Sequence, residues 1–187
     1  MRKILYILLI LLASNLYAQN QDEVNSVISF SARAITPIGI FSEEWTTGVA
    51  AYVSYSWLYN QKWSVRLQTG FNKYSLKSDS EYSNSSKLTM LPIQFGARVH
   101  FFKRKFRLFF EAMSGVNFIS LNYKDEDTKV DESYTHMNFQ IGGGVLYRII
   151  DNLEVELAVL YNSHLIEPST PYNLTGFEYG VGVNWIF

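Results

Sequence analysis

Two carboxylates on one predicted strand have the spacing best suited to chemistry in this sequence. Glu154 and Glu156 lie at i and i+2, so both side chains share one face of an extended strand. Paired carboxylates can act as general acid and general base toward a substrate. The same face is expected to bring Arg148 and Arg107 close to them, and arginine can neutralise a buried carboxylate. An ionic structural role is therefore favoured over catalysis.

Three other groups contain residue types that are used in ligand sites. Gly142-Gly143-Gly144 has the glycine content of a phosphate loop, but it lies inside a predicted strand and no Lys-Ser/Thr pair follows. His100, His136 and His164 are scattered, without the spacing of metal ligands. Segment 124–132 (KDEDTKVDE) is acidic but lacks the ordered ligand spacing of a calcium loop. No cofactor or metal site is predicted.

A serine and a histidine stand side by side toward one predicted strand end. Some small membrane barrels hydrolyse lipids with these two residue types, and Ser163-His164 invites that comparison. Adjacent residues of a strand point to opposite faces, so the two side chains are not expected to meet. The flanking residues also differ from the motif of those enzymes. No enzyme activity is predicted, and lipid modification is the least favoured alternative.

The N-terminus differs in composition from the rest of the chain. Basic residues at Arg2-Lys3, an apolar run at 4–12 (ILYILLILL) and a segment at 13–18 (ASNLYA) that ends in the small residue Ala18 follow one another. This order is typical of a secretory signal peptide, whereas a membrane helix needs about 20 apolar residues. We predict a signal peptide at 1–18, cleaved after Ala18, and a single domain at 19–187.

Composition narrows the class of the exported domain. Cysteine is absent, which excludes disulfides and a lipid-modified cysteine anchor. Without Arg2 and Lys3, 14 basic residues stand against 17 acidic ones, so nucleic acid is not an expected partner. Thirteen Tyr, thirteen Phe and four Trp favour an all-β protein at a membrane.

Apolar and polar residues alternate with period two from Val27 onward, which predicts strands. We place eight of them, at 27–36, 46–58, 62–74, 87–102, 105–121, 135–149, 153–164 and 175–187. One face is largely apolar and free of charge over the stretches 28–34, 49–57, 63–71, 93–101, 106–118, 139–149, 153–161 and 177–187. The opposite face carries most of the glycines and the charged residues Arg33, Arg66, Arg98, Arg107, Glu111, Arg148, Glu154, Glu156 and Glu178.

The polar face decides between two kinds of barrel. A soluble barrel turns polar residues to water, whereas a membrane barrel turns them inward. A solvated face is usually rich in Lys and Glu, but this one combines Arg, Glu, Gln, Asn, Ser and Gly with nearly balanced charge. Eight strands leave room inside only for small or mutually paired side chains. The sequence therefore predicts an all-β, eight-stranded, antiparallel, up-and-down transmembrane β-barrel with its polar network inside.

The predicted connections alternate in length, as outer-membrane barrels require. Short turns fall at 60–61, 103–104 and 150–152, and longer polar links at 37–45, 75–86, 122–134 and 165–174. Short turns are periplasmic in such barrels, so both termini are expected in the periplasm. The turn lengths further predict three opposed pairs: Arg148 with Glu154, Tyr147 with Val155, and Phe101 with Phe106.

The final strand, YGVGVNWIF at 179–187, resembles the last strand of outer-membrane barrels, which insertion machinery recognises. The resemblance assigns this insertion signal to Tyr179, Val181, Val183, Trp185 and Phe187. Segments 36–42 (TPIGIFS) and 91–93 (LPI) resemble the outer membrane protein β-barrel domain family, which includes barrels similar to OmpX and the OmpA membrane domain. The resemblance implies an outer-membrane location, with membrane lipid and the insertion machinery as partners.

Three functions are compatible with such a barrel. The favoured one is a structural or surface-interaction role, in which the external loops serve adhesion, envelope stability or the binding of a protein partner. A narrow small-solute channel is the alternative, although eight strands leave no obvious aqueous bore. A lipid-modifying enzyme comes last.

Overall fold

The computed structural model describes residues 26–59, 62–77, 87–101, 105–125, 128–165 and 174–187. The predicted signal peptide and its cleavage site lie outside these residues. The described elements are β1 (Ser26–Pro37), α1 (Phe41–Glu44), β2 (Gly48–Leu58), β3 (Trp63–Ser75), β4 (Lys87–Phe101), β5 (Phe106–Asp125), β6 (Thr128–Ile150), β7 (Leu153–Leu165) and β8 (Thr175–Ile186).

Eight antiparallel strands close into a barrel. Each strand pairs with the next, and β8 returns to pair with β1. This confirms the predicted eight-stranded up-and-down architecture. In the parts of the chain that the structure describes, no helix is long and apolar enough to cross a membrane.

Polar side chains of the strands lie mostly inside the barrel and apolar side chains lie mostly outside it, as a membrane barrel requires. Along β3, Ser64, Arg66 and Gln68 are buried, while Val65 and Leu67 between them are exposed. Arg66 is 1% exposed and Leu67 is 51% exposed. In water this arrangement would expose the apolar face and bury the charges, whereas hydrocarbon stabilises it.

One predicted loop is wrong. The link at 122–134 was expected to be a solvated loop, but β5 continues to Asp125 and β6 begins at Thr128. The two strands stay paired from Asn122 opposite Asp131 to Asp125 opposite Thr128. Charged residues indicate contact with water, but they do not prevent pairing, because a hairpin outside the membrane can be both paired and solvated.

The predicted registers are confirmed at one turn and wrong at another. Arg148 lies opposite Glu154 and Tyr147 opposite Val155, with an irregularity between Arg148 and Ile150. Phe101, however, lies opposite Leu108 and not Phe106. The shift of two residues keeps every face unchanged.

The observed β4–β5 register has an electrostatic reason. It sets Arg98 directly opposite Glu111 inside the barrel. In the predicted register, Arg98 would instead lie opposite Phe109. A buried guanidinium gains far more from a carboxylate than from an apolar neighbour.

The barrel has two distinct ends. The terminal end contains Ser26, Ile186, the turn at 151–152 and the ends of β2, β3, β4 and β5 at Leu58, Trp63, Phe101 and Phe106, while the loop end contains α1 and the paired ends of β5 and β6 at Asp125 and Thr128. The predicted link at 37–45 contains α1, whose residue Phe41 is buried.

Candidate functional site

Charged residues form three layers inside the barrel, and the first lies near the terminal end. Glu154 accepts hydrogen bonds from Arg107 and Arg148, with Arg107 Nη2–Glu154 Oε2 at 2.5 Å and Arg148 Nε–Glu154 Oε1 at 3.0 Å. The Arg148 side chain is 39% exposed, whereas that of Glu154 is almost fully buried. Glu154 therefore has the arginine neighbours that the sequence predicted. The expectation that Glu156 also lies beside Arg107 and Arg148 is wrong, because Glu156 binds Arg98.

The middle layer joins opposite walls of the barrel. Arg98 donates from Nε to Glu111 Oε2 at 2.9 Å and from Nη1 to Glu156 Oε2 at 2.7 Å. The Phe109 ring centroid lies 3.8 Å from Arg98 Cζ. Arg66 Nη1 lies 3.7 Å from Glu111 Oε2 and 3.6 Å from Glu156 Oε2. The Arg66 nitrogens have no hydrogen-bond partner among the described residues.

The third layer is centred on one carboxylate. Glu178 accepts hydrogen bonds from Arg33 at 3.0 Å, Gln140 at 3.0 Å, Asn162 at 2.8 Å and Tyr52 at 3.1 Å. All five residues are buried. Charge-assisted hydrogen bonds from several donors compensate for the removal of this carboxylate from water.

All nine charged residues that the sequence assigns to the inner face contribute to these layers. Five arginines meet four carboxylates in the described part of the chain. The layers consist of paired groups that fill the interior, so they have the character of a structural core and not of an open reaction centre.

An apolar plug closes the interior at the loop end, and sequence reasoning missed it. Its buried members are Ile35, Phe41, Trp45, Ala50, Tyr52, Tyr74, Leu88, Met90, Ile119 and Leu174. Phe41 of α1 packs edge-on against Tyr74, with ring centroids 5.2 Å apart. The sequence does contain a signal for the plug, because the polarity of the two faces inverts here: Tyr74 and Leu88 point inward, while Lys73 and Lys87 point outward.

The chain from α1 to residue 46 is fastened over the plug by backbone contacts. Trp45 forms a bridge with Leu76, and the Lys77 N–H donates to the Glu44 carbonyl at 2.8 Å. The Thr46 N–H donates to the Ser75 carbonyl at 3.0 Å. These bonds join the segment after β1 to the end of β3, so the lumen is covered at this end.

The structure also contains a buried serine–histidine pair near the terminal end, which the sequence did not predict. Ser64 Oγ lies 3.1 Å from His100 Nε2. His100 Nδ1 has no hydrogen-bond partner in the part of the chain that the structure describes. Ser64 is only 2% exposed, and a nucleophile needs both an oriented base and access to substrate. The geometry is that of a packed polar pair.

The other sequence candidates have structural settings. Gly142, Gly143 and Gly144 lie within β6, where a Cβ at Gly144 would come 2.0 Å from the Leu157 carbonyl oxygen. The His164 side chain lies outside the described residues. Within the described ranges, no group of three or more His, Cys, Asp or Glu side chains is placed to hold a metal ion.

The residues of the expected insertion signal share the outward face of the barrel. They are all exposed: Tyr179, Val181, Val183, Trp185 and Phe187. Phe187 exchanges backbone hydrogen bonds with Ser26, at 3.0 and 2.9 Å. The recognition of this strand by insertion machinery stays a prediction.

Solved structures of membrane barrels share this fold. Neisserial surface protein A superposes with a TM-score of 0.63 at 15% identity, covering 87% of this chain and 97% of its own. The attachment invasion locus protein Ail of Yersinia pestis gives 0.59 at 12%, covering 88% and 99%. A major outer membrane protein from Thermus thermophilus gives 0.60 at 13%, covering 87% and 99%.

The sequence itself is matched at the level of a family. No curated protein matches the chain. The family model described as the outer membrane protein beta-barrel domain matches residues 6–187, and it confirms the resemblance drawn from segments 36–42 and 91–93. Together with the closed barrel, this match shows that the chain belongs to the outer membrane protein beta-barrel domain family.

Proposed function

We propose that this protein is a surface-interaction barrel, with its termini in the periplasm and its loop end outside the cell, where the β5–β6 hairpin binds another protein. The observation that carries the proposal is the extension of this hairpin beyond the described ends of its neighbouring strands, β4 and β7. β6 pairs with β7 only from Met137 onward, where Met137 lies opposite Leu165. Residues 128–136 extend past that point, which corresponds to roughly 30 Å along the strand at about 3.3 Å per residue.

The exposed edge of the hairpin suggests how a partner would bind. Residues 128–136 pair with β5 on one side, and on the other side no strand among the described residues pairs with them. An extended segment of another protein can add to a strand edge of this kind through backbone hydrogen bonds. The partner we propose is therefore a protein that presents an extended segment.

The filled interior argues against the alternative of a solute channel. Ionic layers occupy the terminal half of the lumen, and the apolar plug covers the loop end. A conducting barrel needs a continuous polar bore, and eight strands leave space only for side chains. No geometry among the described residues favours lipid hydrolysis, and we propose no catalytic activity.

Site-specific photo-crosslinking on intact cells tests the proposal. A photoreactive amino acid at Ser133, an exposed position on the hairpin, is expected to form adducts with a protein partner. The same group at Asp151, exposed in a turn at the terminal end, serves as the matched control.

A variant with a shortened β5–β6 hairpin provides a second test of partner binding. Leu121 lies opposite Glu132, so replacing 122–131 with Asn-Gly gives a tight hairpin that leaves the barrel strands intact. Adducts at position 133 should disappear in this variant. If Ser133 forms no protein adducts, or forms the same adducts as Asp151, the proposal is wrong.

A further inference from the structure

The outer face of the barrel changes character at the loop end of β3 and β4. Phe71 is exposed on the outer face of β3, and the next outward residue is Lys73. On β4, the outward residues from Phe101 back to Leu91 are apolar, and Thr89 and Lys87 follow. The apolar stretch from Leu91 to Phe101 spans about 25 Å along the membrane normal, at about 3.3 Å per residue and a tilt near 40°, which equals the height of the lipid-facing band.

Lys73 and Lys87 therefore stand one step beyond the hydrocarbon, at the depth of lipid headgroups. The inner residues at the same level belong to the apolar plug, so these lysines cannot reach the ionic layers inside. Both side chains are exposed. Among the described residues, no carboxylate forms an ion pair with either of them.

The register brings the two lysines together. Lys73 lies opposite Thr89, and Lys87 is two residues away from Thr89 on the same face of β4. Diagonal neighbours of this kind have β-carbons about 7–8 Å apart, within the combined reach of two lysine side chains. Ser75 lies opposite Lys87, and Ser120 lies opposite Thr89, so hydroxyl groups surround the pair.

We propose that this basic rim patch (Lys73, Ser75, Lys87, Thr89 and Ser120) binds the phosphate group of an anionic membrane lipid. Two ammonium groups and several hydroxyls match the charge and the hydrogen-bonding capacity of a phosphate. The apolar band directly below the patch receives the acyl chains of the same molecule. This combination selects a phosphorylated lipid over a soluble phosphate compound. The inference needs only insertion of the barrel into a bilayer, and it does not depend on the proposed protein partner.

Native mass spectrometry of the folded barrel, released from phosphatidylcholine nanodiscs that contain a small fraction of diphosphorylated lipid A, tests the patch. We compare the wild type with the double variant Lys73→Gln/Lys87→Gln. An attraction of about 1 kcal/mol per lysine corresponds to roughly 5-fold weaker retention per substitution, and roughly 25-fold for both. The same lipid without its phosphates should bind equally to both proteins.

Two controls make the result specific. Lys105→Gln removes one exposed charge at the terminal end and should retain lipid A as the wild type does. Lys73→Arg/Lys87→Arg preserves the charge and should also retain it. All variants are first checked for folding by circular dichroism and by heat-dependent gel mobility.

Two outcomes overturn the proposal. One is equal retention of lipid A by the double glutamine variant and the wild type. The other is complete displacement of lipid A by millimolar inorganic phosphate, which would make the patch a site for soluble phosphate. Neither outcome affects the crosslinking result at Ser133, so the two proposals fail independently.

Discussion

At the scale of residues, two arginines that face the same carboxylates have unequal roles. Arg98 donates to Glu111 and Glu156, whereas Arg66 remains 3.7 and 3.6 Å from them. Breaking a buried ion pair by removing one partner costs roughly 3–5 kcal/mol. We expect Arg98→Met to lower the free energy of unfolding by about that much, and Arg66→Met to lower it by clearly less, in urea titrations of the barrel in lipid vesicles. Equal losses would contradict this assignment.

Two glycines on the inner face of the barrel differ in how much space a side chain would have. A Cβ at Gly144 would lie 2.8 Å from the Phe109 ring and 2.0 Å from the Leu157 carbonyl oxygen. At Gly182 the nearest atoms would be 3.1 Å away. Overpacking typically costs about 1–3 kcal/mol. Gly144→Ala should therefore destabilise the barrel more than Gly182→Ala in the same urea titration, and the reverse order would show that β6 can shift.

The alternation of inward and outward side chains along a strand explains which inner residues could be predicted from the sequence. Period two fixes the face of a side chain, so Arg33, Arg66 and Glu178 were assigned to the interior. The partner of each group depends on how far the strands are staggered around the ring, which no local pattern contains. Glu156 on β7 reaches Arg98 on β4 for this reason, although the sequence favoured Arg107 and Arg148.

At the scale of elements, the segment after β1 acts as a cover over a barrel that is already filled below it. Phe41 is 2% exposed, and it anchors α1 in the apolar plug. We expect Phe41→Ala with Trp45→Ala to release this cover, which limited proteolysis would detect as new cleavage within 38–47. Single-channel recording in planar bilayers should still show no conductance, because the ionic layers remain in place.

Conductance in the double variant would show that the plug alone closes the lumen. A matched control is Ile40→Ala, since Ile40 is exposed beside α1 and contributes nothing to the plug. This control should leave the cleavage pattern unchanged.

Elements inside the membrane could be predicted better than elements outside it. Hydrocarbon enforces strict alternation, so the bounds of β1 to β4 are within two residues of those expected. Beyond the bilayer that constraint ends, and charge alone indicated only a solvated segment at 122–134. The extension of the β5–β6 hairpin and the buried α1 could not be predicted from the sequence, because both lie beyond the hydrocarbon, where strict alternation is not required.

At the scale of the whole molecule, the proposed orientation in the membrane rests on which of the predicted connections are long. The chain contains no cysteine, so single cysteines can be labelled without background. We expect Ser133→Cys to react with a membrane-impermeant maleimide on intact cells, and Asp151→Cys to react only after the outer membrane is permeabilised. Labelling of Asp151→Cys alone on intact cells would reverse the orientation and contradict the proposed role of the hairpin.

The ion pairs of the interior also constrain how the molecule is made. Arg98 with Glu156 joins β4 to β7, Arg107 with Glu154 joins β5 to β7, and Arg33 with Glu178 holds the first and last strands together at the seam. Of these strand pairs, β4 with β7 and β1 with β8 come together only when the barrel closes. Until that moment Glu156 lacks Arg98 and Arg33 lacks Glu178, so half-built forms should be short-lived. Insertion and sealing are thus expected to occur as one late, all-or-none step.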